Sequence, residues 1–285
     1  MKKLIKFIVF LFILFIVFIT GMVVQEDMDK NPELVKTDKS GTGSTKDIYY
    51  YQNVSDDTNY LELKLVFPLM DPADNVINDS IYNKIKDLIT GFETKNSDYL
   101  KNITYENFIP VIDTFFDQLV DNYKNAPVSE ERASDPDLYS ARSVWRYDRE
   151  IKILGNNDNF LSLVFQEIFD TGGAHPNGFR KYFCFDKKQK NWFDPKDRLT
   201  IEETDKLLPI AEKIFREIRE IPENQTFEDA GFWFDNNIFK LSRSTCLTDT
   251  SFILYYNDYE VTNHANGPTY LEIPLSVLKK EGIEF

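Results

Sequence analysis

Both histidines of the chain stand in the same short string, His175-Pro176-Asn177-Gly178 and His264-Ala265-Asn266-Gly267. An imidazole beside an Asn-Gly turn is a proton-handling and hydrogen-bonding group on a tight loop. Two such loops at one end of a sheet would form a polar concavity, which makes His175, Asn177, His264 and Asn266, with Gly172, Gly173 and Tyr259 in the adjoining strings, the candidate ligand-binding residues. The same strings also read as plain turn chemistry, because glycine supplies positive φ and a loop histidine can bond to nearby backbone. Asp170 beside the first loop and Glu260 beside the second are the carboxylates that would act as acid and base in glycan hydrolysis. Among 47 Asp and Glu, however, one pair carries little information. No G-x-S-x-G, H-E-x-x-H, Walker or G-x-G-x-x-G motif accompanies it, so the better-defined enzyme classes lack support.

The remaining reactive side chains are few. A closed zinc site would have to gather His175, His264, Cys184 and Cys246, none of which stands in a C-x-x-C or H-x-x-x-H pair. Neither a metal nor a cofactor is expected. Cys184 and Cys246 can pair in an oxidising compartment, but their spacing leaves the pairing open. Phe232-Trp233-Phe234, Trp192-Phe193 and Trp145 offer rings for stacking on sugars, or for core packing at strand spacing.

The elements that must position these groups begin with the N-terminus. Lys2, Lys3 and Lys6 precede an uncharged apolar run at 7–24, and Glu26, Asp27 and Asp29 follow it. Its 18 residues would span roughly 27 Å as a helix, close to the hydrocarbon thickness of a bilayer. The flanking charges place the N-terminus in the cytoplasm and the rest of the chain outside, in the periplasm or the extracellular space. The length of the run and the bulky Ile19 in its best cleavage string favour an uncleaved, single-pass anchor in the cytoplasmic membrane. Secretion after signal cleavage is the alternative. A net charge of −14 argues against nucleic acid as a partner, since a phosphate ligand needs a basic footprint.

Residues 25–46 read as a polar tether. Leu61, Leu63, Leu65 and Phe67 alternate with Glu62, Lys64 and Val66 as in a half-buried strand. A helix follows with Asn78 as N-cap and Ile81, Ile85, Leu88 and Phe92 on one face, then a second with Phe108, Ile112, Phe115 and Leu119 inward and Pro110 in its first turn. A polar stretch at 125–142 reads as a loop. The pattern predicts a meander from Trp145 to Ile153 and from Leu161 to Phe165, and a strand from Phe179 to Phe185. Thr200 and Glu203 form a capping box, with the main helix expected from about Leu208 because of Pro209. Late strands are predicted over 231–240, 250–256 and 269–273. The class is α+β, a largely antiparallel sheet with flanking helices in two small subdomains, 47–144 and 145–285, after the N-terminal membrane helix.

The string Thr171-Gly172-Gly173-Ala174-His175-Pro176-Asn177, with Tyr259-Glu260-Val261, Gly267-Pro268 and Leu271-Glu272-Ile273-Pro274, resembles the extracytoplasmic domain of RsiV-type anti-sigma factors. A related copy precedes the catalytic domain of PdaC-type peptidoglycan deacetylases. The resemblance covers about 145–285, and the strand and helices of 47–125 look like the companion domain that often precedes it. The family is one of uncharacterised function. What the resemblance implies is the binding or sensor module alone, because only Met1 to Lys6 would lie inside the cell and no deacetylase domain is expected after Phe285. Lysozyme, the ligand of RsiV-type proteins, and the peptidoglycan of a bacterial cell envelope are the partners it points to. The chain departs from the family's small apolar residues after the Tyr-Glu segment, with Thr262-Asn263-His264-Ala265-Asn266 in their place. The expectation is therefore a non-enzymatic envelope binding module; a small hydrolase acting on envelope glycans is the alternative.

Overall fold

A computed structural model describes residues 37–40, 45–56, 59–70, 78–91, 103–125, 144–170 and 176–285. The apolar run at 7–24, the polar stretch at 126–142, and Phe92 lie outside them. Among the described residues no helix is long and apolar enough to cross a membrane.

The fold is α+β, built on a seven-stranded sheet ordered β1 to β7 along the chain and a three-stranded sheet ordered β10-β9-β8. The strands are β1 Thr37–Ser40, β2 Thr45–Asp56, β3 Asn59–Met70, β4 Val144–Asn156, β5 Phe160–Asp170, β6 Asn177–Asp186, β7 Asn191–Phe193, β8 Ser244–Leu247, β9 Ser251–Tyr256 and β10 Thr269–Pro274. All neighbours are antiparallel except β3 and β4. A parallel neighbour needs a crossover, and this one carries helices α1 (Asn78–Thr90) and α2 (Tyr105–Asn125).

The period-2 pattern decides which face those helices cover. Leu61, Leu63, Leu65 and Phe67 of β3 share one core with Ile81, Ile85 and Ile89 of α1, Phe108, Ile112, Phe115 and Phe116 of α2, and Ile151, Leu161, Leu163 and Phe165. Edge-to-face packing of Phe67 on Phe108, at 5.5 Å and 90°, ties sheet to helix. The opposite face of β6 presents Tyr182 and Cys184 to a second core, made with α3 (Ile201–Ile218), β8, β9, β10 and α4 (Leu275–Lys280). Phe215 of α3 is its centre, within 5.2 to 5.9 Å of the rings of Phe227, Phe232, Phe234, Phe239 and Tyr256.

Several elements differ from those read in the sequence. Inside the stretch read as a tether, Thr37–Ser40 pairs with β2, Thr37 lying opposite Tyr49; short polar strands suit a sheet edge. β3 pairs with β4 across the 144/145 division, so one sheet serves both stretches. α3 starts at Ile201 rather than near Leu208, with Pro209 inside it. The buried stripe Leu207, Ala211 and Phe215 begins before the proline, and the capping box, with Thr200 accepting from the Glu203 N–H and Glu203 from the Thr200 N–H, fixes the start. Pro110 likewise stands beyond the first turn of α2, because Phe108 must already lie on the helical face it shares with Ile112. No strand forms over 231–240: Asn236 and Asn237 adopt φ of 56° and 58°, which breaks the pleat, while Phe232, Phe234 and Phe239 turn into the core around Phe215.

Candidate functional site

The site is built from the loop between β9 and β10, and polar side chains hold that loop in one shape. The Asn257 amide accepts from the Arg180 N–H at 2.7 Å and donates to the Arg180 carbonyl at 2.9 Å, pinning the loop to β6. Glu260 accepts from the backbone N–H of Asn257 at 3.0 Å and of Arg243 at 3.1 Å, and from the Ser242 hydroxyl. At the far end Arg219 donates to the carbonyls of Asn266, Gly267 and Pro268 at 2.7 to 2.8 Å, and Asn266 donates to Thr262 at 2.7 Å. Gly267 has φ of 67°, a conformation that suits glycine.

Tyr259 sits at the tip of this frame with φ of 62° and 57% exposure. A bulky residue in the left-handed region is strained, and burial does not compensate it here. Its ring stacks on the His264 imidazole at 5.9 Å and 15°. The His264 Nδ1 lies 3.0 Å from Asp258 Oδ2. The other oxygen of that carboxylate, Oδ1, is buried with no hydrogen-bond partner among the described residues. Trp233 is half exposed beside the loop, its indole N–H donating to the Glu260 carbonyl at 3.2 Å and its backbone N–H to the Val261 carbonyl at 2.9 Å. Tyr259 and His264 thus form an aromatic ledge, and Trp233 is held to the same loop by its two N–H groups.

A cavity of about 170 Å³ opens between the two sheets and reaches the loop at Asn257, Asp258 and Pro268. Gln166 and Glu167 of β5, Gly178 and Arg180 of β6, and Asn257, Asp258 and Pro268 of the loop contribute to its lining. Residues flanking both His-x-Asn-Gly strings therefore meet around one cavity. A second cavity of about 270 Å³ shares Gln166 and Arg180 with the first and runs on past Lys152, Tyr182 and Tyr270. Together they make an inter-sheet groove with both polar and apolar walls, Leu154, Val164 and Ile253 among the latter, in which Arg180 donates to Gln166 at 2.8 Å. Burial pushes the Tyr182 phenol up to about 12, so it stays a neutral donor. Such an arrangement can present hydroxyl, amide, guanidinium and carboxylate groups to a polar ligand whose apolar face lies on the ledge.

Of the sequence-selected residues, Tyr259 and His264 stack on each other, Asn266 caps the loop, and Asn177 opens β6, exposed, opposite Phe169. Gly172, Gly173 and His175 lie outside the described residues. Asp170 ends β5 opposite Arg146, and Glu260 is occupied as the acceptor of its own turn; neither lines the two cavities. Asn257, Asp258, Gln166 and Arg180 were not singled out in the sequence. Their one local signal is Asn257-Asp258 standing directly before Tyr259-Glu260, since Arg180 joins them only through the contact between sheets.

A family model described as "Deacetylase PdaC" matches residues 54–178, and one described as "Protein of unknown function (DUF3298)" matches 197–276. The first match thus includes 145–178, with the Gly-Gly-Ala-His loop, and the cavity takes Gln166 and Gly178 from it and Asp258 and Pro268 from the second. No match was found among curated proteins. The structure resembles that of a DUF3298 family member from Bacteroides fragilis NCTC 9343, with 16% identity and a TM-score of 0.66, over 87% of this chain and 94% of that one. It also resembles a DUF3298 family protein from Pseudomonas aeruginosa PAO1, with 13% identity and a TM-score of 0.54, over 88% and 94% of the two chains. At these identities the likeness is one of fold. The chain thus matches the PdaC model over 54–178 and the DUF3298 model over 197–276, and it shares the fold of solved DUF3298 structures.

Proposed function

We propose that the chain is an exported, membrane-tethered binding or sensor module of the cell envelope, without enzymatic activity, that holds a cell-wall glycan or a lysozyme-like protein. The observation that carries this reading is Tyr259, strained, exposed and stacked on His264, whose partner Asp258 lines a cavity with Asn257 and Gln166. A pyranose ring has an apolar C–H face that fits an exposed aromatic ring and hydroxyls that fit amides and carboxylates. Asn257, Asp258 and Gln166, which line the cavity, are of the latter kind, which favours the glycan arm. The lysines before the apolar run at 7–24 support export and anchoring. The RsiV-like and PdaC-like strings support the envelope setting and the lysozyme arm.

The test uses the full chain in detergent, incubated with insoluble peptidoglycan and separately with immobilised lysozyme, with soluble sugar and acetate measured in the same tubes. Retention on either without product supports the reading. Failure to bind either one removes both ligands, and release of sugar or acetate replaces the binding module with a hydrolase.

A further inference from the structure

The two cysteines of the chain come from different sheets and meet in the core. Cys184 stands on β6 and Cys246 on β8, both with no exposed surface. Their Sγ atoms are 3.5 Å apart, close to contact, although 62 residues separate them in sequence. Since they are the only cysteines in the chain, no competing intrachain pairing exists. The Ser162 hydroxyl lies 3.3 Å from Cys184 Sγ, and the Leu247 N–H donates to the same sulfur at 3.3 Å. The Leu247 N–H, aimed at the Cys184 sulfur, suits a thiolate there.

We propose that Cys184 and Cys246 are an oxidisable pair that closes to a disulfide joining the two sheets, with a small-molecule disulfide or the active disulfide of a thiol oxidoreductase as oxidant. The Cys184 thiol loses its proton and attacks one sulfur of the oxidant, whose other sulfur leaves as a thiolate. The Cys246 thiol then loses its proton and attacks Cys184 Sγ, expelling the second thiolate. Two thiols are oxidised with loss of two protons and two electrons, and one disulfide is reduced to two thiols. In the docked fold the hydrogen bond with Cys246 lowers the Cys184 thiol, while that bond and burial raise Cys246; with the sheets apart the two thiols can attack in either order, and the balance is the same. Because both sulfurs are buried, exchange takes place while the sheets are apart, before docking or on opening. The cross-link then ties β6 of the larger sheet to β8 of the smaller one. This inference stands on the sulfur geometry and is independent of the ledge and its ligand.

The full chain in detergent, unfolded and reduced, is refolded over a series of reduced and oxidised glutathione, quenched with a maleimide and mapped by non-reducing peptide mass spectrometry. With oxidised glutathione in excess, the expected product has no labelled cysteine, is lighter by two hydrogens, and yields one peptide pair holding Cys184 and Cys246. Its urea midpoint lies above that of the reduced chain, and the double variant Cys184→Ser with Cys246→Ser is indifferent to reductant. Maleimide on both cysteines, glutathione on either, or an oxidised chain that fails to regain the circular dichroism of the reduced one overturns the proposal.

Discussion

Replacing Tyr259 with glycine separates what this residue does for stability from what it does for binding. At φ of 62° the side chain pays for a left-handed conformation, about 1–2 kcal/mol for an L-residue. Glycine removes that strain but gives back about 0.5–1 kcal/mol through the freedom of its unfolded chain. The stack on His264, between two exposed rings, contributes at most about 1 kcal/mol. Tyr259→Gly is therefore expected within about 1 kcal/mol of the parent, whereas Tyr259→Ala keeps the strain, loses the ring and falls about 1 kcal/mol below the glycine variant. Urea unfolding followed by tryptophan fluorescence reads the difference. Both variants lose the stacking face, so glycan affinity should drop by about 2- to 10-fold, the equivalent of one aromatic contact. A glycine variant destabilised by more than about 2 kcal/mol would show that the ring is structural, and unchanged affinity would show that it does not meet the ligand.

Other consequences concern the frame beneath the site. Arg149 and Glu167 form a buried ion pair at 2.5 Å, and Arg149 also donates to the Ile89 carbonyl. Glu167→Ala strands a buried guanidinium and should cost about 3–5 kcal/mol, most of it recovered by adding Arg149→Met; a loss under about 1 kcal/mol in a thermal melt would contradict the pairing. Asp186 is held below its ordinary value by the Gln189 N–H above all, with Arg198 and the Lys188 N–H adding to it and burial opposing. A depressed folded pKa means the stabilisation is present above the unfolded value of 3.8 and is lost as pH falls below it. Asp186→Asn should thus be about 2 kcal/mol less stable at neutral pH, with the gap closing in acid; a gap that stays constant across acid titration of the melt would refute this. Phe215→Ala opens the centre of the second core and should cost about 3–5 kcal/mol in urea unfolding, with a smaller loss showing that the surrounding rings collapse to fill it.

What was legible in the sequence is what local periodicity determines. Leu61, Leu63, Leu65 and Phe67 are all buried on one face of β3, and Ile81, Ile85, Phe108, Ile112 and Phe115 face them from the helices, as their spacing requires. The capping box at Thr200 and Glu203 forms as written, because both partners lie within one turn. Pro209 misled because its local penalty is outweighed by a stripe that packs from Leu207 to Phe215. The aromatic run at 232–239 alternates enough to resemble a strand, yet its rings answer to Phe215, a partner that no local pattern reveals. The same limit applies to the site. His264 stood out by type and spacing and Tyr259 by the family resemblance, but Arg180, Gln166 and Asp258 become neighbours only when β6 meets the loop after β9. β1 and β2 went unread because strands that open a sheet with polar and tyrosine-rich segments lack a clean alternation.

The most direct test of the ledge uses the fact that the chain has only two histidines. With the full chain in detergent labelled selectively at histidine, carbon-13 NMR gives two imidazole signals, and His264→Gln assigns one of them. On titration with soluble peptidoglycan fragments or with lysozyme, the account predicts a saturable shift of the His264 signal that is weakened in Tyr259→Gly, with no sugar or acetate released. Saturable binding that leaves the His264 signal where it was would place the ligand elsewhere and contradict the account.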